Sequence, residues 1–359
     1  MNEPSLRVAL DCGPLLDRPT GVGRYTRELG HGLEVLGVEL VRFAIALRGP
    51  RLAGGKRWRL PAAAVQTSWL QRNRPAIDSL VGDADIVHAT NFVLPVAKRA
   101  PGVVTVHDLS FLRDDTFPGG ERLRDLVPWS VNRAQLVITP THAVADEVAE
   151  RYGVEPDRLV VTHEGVSPLF FGAAPLPPAA LEQWGVGGPF AVAVGTIEPR
   201  KNLPRLLAAW RRSGLTDRGW TLLLAGPKGW GPRLPETKGV RLTGWLGDET
   251  LPGLYAAAGF FCYPSLYEGF GLPPLEAMAA GAPVLAGAYS AAREVLGEAA
   301  VLVDPQDVDA LAGALSALAG DESLRRRLSF AGKARAAVYT WERTAERTLE
   351  AYRRVVRSH

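Results

Sequence analysis

Short apolar runs of four to seven residues recur along the chain, each followed by a stretch with helical spacing. After a Pro, Gly and Ala-rich interval at 172–178 the alternation starts again. Such runs, bounded by turns and separated by helices, belong to strands of a parallel sheet covered by helices on both faces. In the first half the expected strands are 6–10, 39–46, 86–89, 103–107, 136–139 and 159–161, with a helix from about 25 to 36. In the second half they are 190–194, 221–225, 240–243, 260–263, 284–286 and 301–303, and helical patterns at 308–318, 323–338 and 342–356 close the chain. The expected fold class is α/β, with two doubly wound domains at 1–172 and 173–340 and a helix at 341–359 that packs back on the first. Open sheets of this kind bind ligands at the carboxyl ends of their strands, so a ligand is expected in a cleft across which the two domains face each other.

Composition narrows the function classes. A length of 359 residues accommodates two domains, each with its own core. Hydrophobic residues at 47% and charged residues at 22% describe a folding chain rather than a disordered one. The net charge of +3, from 41 basic and 38 acidic residues, carries no field suited to nucleic acid. Cys12 and Cys262 lie in apolar stretches, as buried thiols of a reducing compartment do. The opening residues Met1-Asn2-Glu3-Pro4 lack the basic and apolar regions of a secretory signal, and the charge-free run 277–292 is broken by Gly281, Pro283 and Gly287. A cytoplasmic protein is expected. No repeat of 20 to 50 residues is visible, which excludes a solenoid.

Two segments carry chemistry. Gly21-Val22-Gly23-Arg24 follows the first strand's loop and opens a helix, where glycines let backbone amides approach an anion or a sugar. A dinucleotide fingerprint would need a third glycine where Thr26 stands and a shorter loop, so a nicotinamide-dependent oxidoreductase is a weak alternative. In Pro264 to Met278, the Gly and Pro residues between Glu268 and Glu276 forbid one continuous helix. Glu268 is expected on a loop and Glu276 in the first turn of a helix starting near Pro273. Glycine-exposed amides at a helix N-terminus favour phosphate, and a carboxylate there can accept both hydroxyls of a ribose. The plainer reading is that Glu276 complements the helix dipole and Glu268 caps the loop.

Glu268 and Glu276, with Gly269-Phe270-Gly271 between them, resemble the Glu-x7-Glu motif of retaining glycosyltransferases built from two Rossmann-like domains (the GT-B type). The resemblance runs along the whole chain and is closest to glycosyltransferase family 4, or group 1, including mannosyltransferases that use GDP-mannose. Gly195-Thr196-Ile197-Glu198-Pro199-Arg200-Lys201-Asn202 resembles that family's phosphate-binding loop and Leu242-Thr243-Gly244-Trp245-Leu246 its base-side loop. Val106-His107-Asp108-Leu109 resembles its N-domain histidine segment, and Gly281-Ala282-Pro283-Val284 and Val303-Asp304-Pro305 complete the pattern. Thr196 departs from it, since many relatives carry Arg directly after the first glycine, and Arg200 is the candidate substitute.

The resemblance implies a retaining hexosyltransferase, moving mannose from GDP-mannose ahead of a UDP-sugar to a hydroxyl of a glycan, glycolipid or small-molecule acceptor. Attack is on the face the diphosphate leaves, and a phosphate oxygen takes the proton. His107, Arg200, Lys201 and Glu268 are the catalytic candidates. Gly21, Gly23, Gly195, Thr196, Gly244, Trp245, Leu246, Gly269, Phe270, Gly271, Leu272 and Glu276 are expected to bind the donor, and Arg24, Tyr25 and Asp108 to lie on the acceptor side. The leaving diphosphate needs positive charge, and Arg200 and Lys201, on a loop between strand and helix, supply a planar fork and a compact ammonium. Asp83-Ala84-Asp85 precedes a strand and Asp307-Val308-Asp309 opens a helix, so both read as structural and no metal or other cofactor is implied. A non-catalytic sugar-nucleotide-binding protein remains the alternative from another class.

Between 40 and 77 the chain holds Arg42, Arg48, Arg51, Lys56, Arg57, Arg59, Arg72 and Arg74 with no acidic residue, and Trp58 and Trp69 among them. A solvated basic loop is one reading. The other is peripheral contact with an anionic membrane through 42–74, with interfacial Trp side chains.

Overall fold

The computed structural model describes residues 5–16 and 20–358. They form two compact units: the residues through Gly165 with the helix from Trp341 onward, and Val166–Thr340.

The first unit holds seven parallel strands, β1 (Arg7–Asp11), β2 (Glu39–Ile45), β3 (Lys56–Trp58), β4 (Ile86–Ala89), β5 (Gly102–Thr105), β6 (Leu136–Thr139) and β7 (Leu159–Val161). Their order is β3-β2-β1-β4-β5-β6-β7. Strand β1 pairs with β2 on one side, Val8 opposite Leu40, and with β4 on the other, Val8 opposite Ile86. The chain thus runs outward from β1 to one edge and restarts at β4, which makes the carboxyl ends of β1 and β4 a topological switch point. Strand β3 was not expected from the sequence; it is an edge strand bearing Lys56 and Arg57, and charge on an edge is how sheets discourage further pairing.

The second unit repeats the design with β8 (Phe190–Val194), β9 (Thr221–Ala225), β10 (Val240–Gly244), β11 (Phe260–Tyr263), β12 (Val284–Gly287) and β13 (Ala300–Val303), in the order β10-β9-β8-β11-β12-β13. Its switch point lies between β8 and β11. Strands β4, β6, β11 and β12 are buried at every position, as strands covered on both faces must be.

The cores follow from these faces. In the second unit Leu206, Leu207 and Trp210 of helix Leu203–Ser213 pack with Leu311 and Leu315 of helix Val308–Gly320 over the sheet. Each fully buried large apolar side chain contributes about 1.5–3 kcal/mol. The indole N–H of the fully buried Trp210 donates to Thr216 Oγ1 at 3.0 Å, so no polar atom is stranded there. In the first unit the closing helix Trp341–Arg357 is tied by the Tyr352 hydroxyl, 2.6 Å from His88 Nδ1, and by Thr344 Oγ1, which donates to the His163 carbonyl at 2.7 Å. His88 is fully buried, and burial holds its imidazole down at about 3, so it stays neutral.

Candidate active site

Gly195 directly follows β8, and its φ of +151° and close packing suit a residue without Cβ. A Cβ on Gly226, just past β9, would sit 2.0 Å from the Gly195 carbonyl oxygen, so the loops after β8 and β9 pass backbone against backbone. The chain then makes a one-turn 3₁₀ helix, Pro199–Lys201, and enters helix Leu203–Ser213 through Asn202. Asn202 is buried, and its side-chain amide donates to the carbonyls of Pro264 at 3.1 Å and Pro305 at 2.6 Å. The Leu266 N–H donates to the Arg200 carbonyl at 2.9 Å. These bonds dock the basic turn onto the loop that follows β11.

That docking brings Arg200, Lys201 and Glu268 together. Lys201 Nζ donates to Glu268 Oε1 at 2.7 Å and to the Tyr263 hydroxyl at 2.7 Å, and Arg200 Nη1 donates to Glu268 Oε2. Arg200 Nη2 also donates to Glu198 Oε1 at 2.6 Å. Two cations and two carboxylates therefore share a buried site in charge balance. Burial would raise the Glu268 carboxyl, but Arg200 and Lys201 outweigh it and hold it at about 2. Glu268 is thus ionised at neutral pH and cannot act there as a general acid. Burial lowers the Lys201 ammonium against the opposing pull of Glu268, and burial raises Glu198.

Glu268 leads through Gly269 and Phe270 into helix Leu272–Ala280, capped by Gly271 at φ +101°. Pro273 and Pro274 stand where a helix needs no N–H. The helix starts at Leu272, so Glu276 lies in its second turn rather than the first, 3% exposed. Gly269, Phe270, Gly271 and Leu272 are buried, with the Phe270 ring edge-on to Tyr339 at 5.7 Å. Tyr289, past the end of β12, puts its hydroxyl 3.5 Å from where a Cβ on Gly271 would be, and that hydroxyl is buried without a hydrogen-bond partner among the described residues. Thr196 follows Gly195, half-buried. The Gly244 carbonyl at the end of β10 accepts from the Gly226 N–H at 2.8 Å, Trp245 beyond it is 53% exposed, and Leu246 is half-buried.

Glu198 was read only as part of the Gly195–Asn202 motif, and Tyr263 and Tyr289 were not among the expected residues. Tyr263 is the last residue of β11 and Tyr289 lies just past β12, and position at a carboxyl end was the only signal that could have found them.

In the first unit, helix Gly21–Val35 begins earlier than expected, because Thr20 caps it by accepting from the Gly23 N–H at 3.1 Å. Gly21 and Gly23 therefore belong to its first turn. Arg24 is half-buried in that turn, and Tyr25 is buried with its hydroxyl 3.0 Å from Thr105 Oγ1 and its ring edge-on to His107 at 4.8 Å. His107 Nε2 lies 2.8 Å from the Thr90 carbonyl and Nδ1 3.1 Å from Glu164 Oε1. A carbonyl only accepts, so Nε2 carries a hydrogen, and the contact with Glu164 needs a further proton on the imidazole or on the carboxyl. Asp108 accepts from the Ser110 N–H at 2.8 Å and the Ser110 hydroxyl at 2.6 Å, which closes the next turn.

The aspartate pairs have protein partners. Asp85 accepts from the Arg7 N–H at 2.7 Å, Asp83 pairs with Arg99 at 2.7 Å, Asp307 caps its helix by accepting from Asp309 and Ala310, and Asp309 pairs with Arg212. In the basic stretch, Arg42 pairs with Glu34 at 2.7 Å and Arg57 donates to the Gly49 carbonyl at 2.9 Å. Trp69 is 3% exposed with its indole N–H on the Pro75 carbonyl at 2.7 Å, so it is not the interfacial side chain expected. Arg48, Arg51, Lys56, Arg59, Arg72 and Arg74 are exposed, as are Leu47 and Leu60. Among the described residues no helix is long and apolar enough to cross a membrane.

Comparison with known proteins agrees with this arrangement. Residues 19–168 match the family described as Glycosyltransferase Family 4, and residues 188–321 match Glycosyl transferases group 1. The chain is 34% identical over 283 residues to O-antigen chain mannosyltransferase B of Escherichia coli, covering 75% of this chain and 74% of that one. It is 31% identical over 303 residues to the MMP alpha-(1->4)-mannosyltransferase of Mycolicibacterium hassiacum, covering 77% and 72%. Its fold is similar to that of sucrose-phosphate synthase from Thermosynechococcus elongatus, with a TM-score of 0.77 and 22% identity over 99% of this chain and 100% of that one. The readings as an oxidoreductase or a non-catalytic binding protein give way to these matches. Two parallel-sheet units, an Arg-Lys-Glu cluster at the second switch point and these relatives lead to one conclusion: the chain belongs to glycosyltransferase family 4 and is a hexosyltransferase.

Proposed function

We propose that the enzyme transfers mannose from GDP-mannose, with retention of anomeric configuration, to a hydroxyl of a glycan, glycolipid or small-molecule acceptor. The observation that carries this reading is the joining of Arg200, Lys201 and Glu268 at the carboxyl ends of β8 and β11. Cleavage of the anomeric bond loads negative charge onto the leaving diphosphate, and preorganised cations stabilise that charge more in the transition state than in the ground state. Lys201 has three hydrogens and gives two to Tyr263 and Glu268, which leaves one for a phosphate oxygen. Glu268 holds both cations in place, and its remaining lone pairs suit hydroxyls of the transferred sugar. The buried Tyr289 hydroxyl is a further donor for the sugar nucleotide, and Glu276 is assigned to its ribose. His107 is assigned to the transferred sugar, with Tyr25 and Glu164 fixing its ring. That the two relatives described above are mannosyltransferases supports mannose as the sugar.

The reaction needs no metal in this account, because fixed cations take the place of one. The test is product analysis by NMR with GDP-mannose and UDP-glucose, each with and without EDTA. An α-linked mannoside formed equally well in EDTA supports the reading. A β-linked product, or activity abolished by EDTA and restored by magnesium or manganese, overturns it.

A further inference from the structure

Four buried polar side chains form a row of hydrogen bonds through the interior of the first unit. The Tyr352 hydroxyl of helix Trp341–Arg357 lies 2.6 Å from His88 Nδ1, and His88 Nε2 lies 2.8 Å from Thr105 Oγ1. Thr105 Oγ1 in turn lies 3.0 Å from the Tyr25 hydroxyl. None of the four is more than 1% exposed. His88 is on β4, Thr105 ends β5 and Tyr25 belongs to helix Gly21–Val35, so the row ties the closing helix to the first helix through two inner strands.

The directions of these bonds follow from the hydrogens at hand. A neutral His88 has one N–H and one acceptor nitrogen. The Tyr352 hydroxyl has no other acceptor among the described residues, so it donates to Nδ1, and Nε2 carries the hydrogen given to Thr105. Burying four polar groups contributes little net stability over an apolar core of the same shape; what a fully bonded row provides is one fixed arrangement. The side chain at its end is His107. The Tyr25 ring stands edge-on to the His107 imidazole at 4.8 Å. Thr26, the next residue, donates to Thr90 Oγ1 at 3.0 Å, the Thr90 hydroxyl donates to the Asp11 carbonyl at 2.8 Å, and the Thr90 carbonyl accepts the His107 Nε2 hydrogen at 2.8 Å. Two neighbours on one helix thus hold the imidazole, Tyr25 by its ring and Thr26, through Thr90, by its Nε2 hydrogen.

We propose that Tyr352, His88, Thr105 and Tyr25 are positioning residues for the transfer reaction: the row fixes Tyr25, and Tyr25 fixes the His107 ring. The closing helix then acts on turnover through Tyr352, three residues removed from the imidazole. This rests on the assignment of His107 to the transferred sugar in the reading above.

The experiment follows release of nucleoside diphosphate, with water as acceptor, from the donor the wild-type chain turns over, GDP-mannose or UDP-glucose. Calorimetry gives the affinity for the matching diphosphate, and NMR of nitrogen-labelled histidine gives the imidazole signals, with that of His107 assigned from His107→Ala. Tyr352→Phe keeps the ring and removes the first donor of the row. Its kcat should fall by about fivefold or more, with KM and diphosphate affinity changed by less than about twofold, and the His107 signal should shift. His88→Leu should lower kcat by about tenfold, and His88→Gln, which can still accept at one end and donate at the other, should return it to within about threefold of the wild type. Tyr25→Phe/Tyr352→Phe should cost no more than the larger single substitution, since both cut the same row. Leu349→Ala, buried on the same helix, should lower the melting temperature at least as far as Tyr352→Phe and leave kcat and the His107 signal unchanged. Unchanged kcat or an unmoved His107 signal in Tyr352→Phe, a loss of kcat shared by Leu349→Ala, or losses that add in the double variant overturn the proposal and leave the transferase reading standing. Full turnover in His107→Ala overturns the sugar assignment of that histidine, and the proposal with it.

Discussion

Lys201 lies across Gly195: a β-carbon at position 195 would stand 3.3 Å from its Cε and 3.8 Å from its Nζ. The glycine just past β8 is therefore also the floor on which the ammonium rests. Gly195→Ala would strain a φ of +151° and displace the lysine by a few tenths of an ångström. Steady-state kinetics should show Gly195→Ala and Lys201→Ala each lowering kcat/KM by more than about tenfold, because a charge-assisted contact is lost where charge develops. Full activity in Gly195→Ala would mean that the lysine's position is not critical.

Glu268 is expected to separate chemistry from nucleotide binding. Glu268→Gln keeps the shape but removes the charge that orients Arg200 and Lys201, so kcat should fall by about a hundredfold. Affinity for free nucleoside diphosphate should hold or rise, since the cations lose their internal counter-charge. The pH dependence carries a sign. A carboxyl held near 2 in the fold, against an ordinary 4.5, adds about 3 kcal/mol of stability above pH 4.5 that disappears as pH falls toward 2. Thermal melts of the wild type should drop across that window, and Glu268→Gln should lack this component.

Asp11 has the opposite sign. Its carboxyl is raised from 3.8 to about 6, so its ionised form costs stability above pH 6, and the cost fades as pH falls toward 3.8. Asp11→Asn should therefore raise the melting temperature at pH 7.5, by the equivalent of roughly 3 kcal/mol, with no gain near pH 4. An unchanged melt at pH 7.5 would show that Asp11 is hydrated.

The basic stretch makes a separate prediction. With Trp69 buried, the exposed Arg48, Arg51, Lys56, Arg59, Arg72 and Arg74 with Leu47 and Leu60 remain to meet an anionic lipid surface. Each cation near such a surface adds about 1 kcal/mol, screened over about 8 Å at physiological salt. Cosedimentation should show binding to anionic vesicles that weakens with salt and falls in Arg72→Glu/Arg74→Glu. Equal binding to neutral vesicles, or none to either, leaves this surface simply solvated.

The fold and the loops that carry the candidate site were legible because their signals are linear. Buried strands read as apolar runs, and Gly195 to Asn202 and Glu268 to Glu276 are contiguous motifs. The pairing of Glu268 with Lys201 joins residues 67 apart and depends on how Asn202 clamps the loops after β11 and β13. Tyr263, Tyr289 and Asp11 are single residues near strand ends, indistinguishable in sequence from core or turn positions. Strand β3 and the buried Trp69 were hidden by the charge around them, since an edge strand and a one-sided helix both carry polar residues on the open side.

The central claim is that a nucleoside diphosphate sits against Lys201 with its ribose on Glu276, and calorimetric titration of GDP tests it most directly. The account predicts binding to the wild type, a loss of about tenfold or more in Lys201→Ala and in Glu276→Ala, and no loss in Glu268→Gln. Full GDP affinity in both Lys201→Ala and Glu276→Ala, or a wild type that binds neither GDP nor UDP, would contradict it.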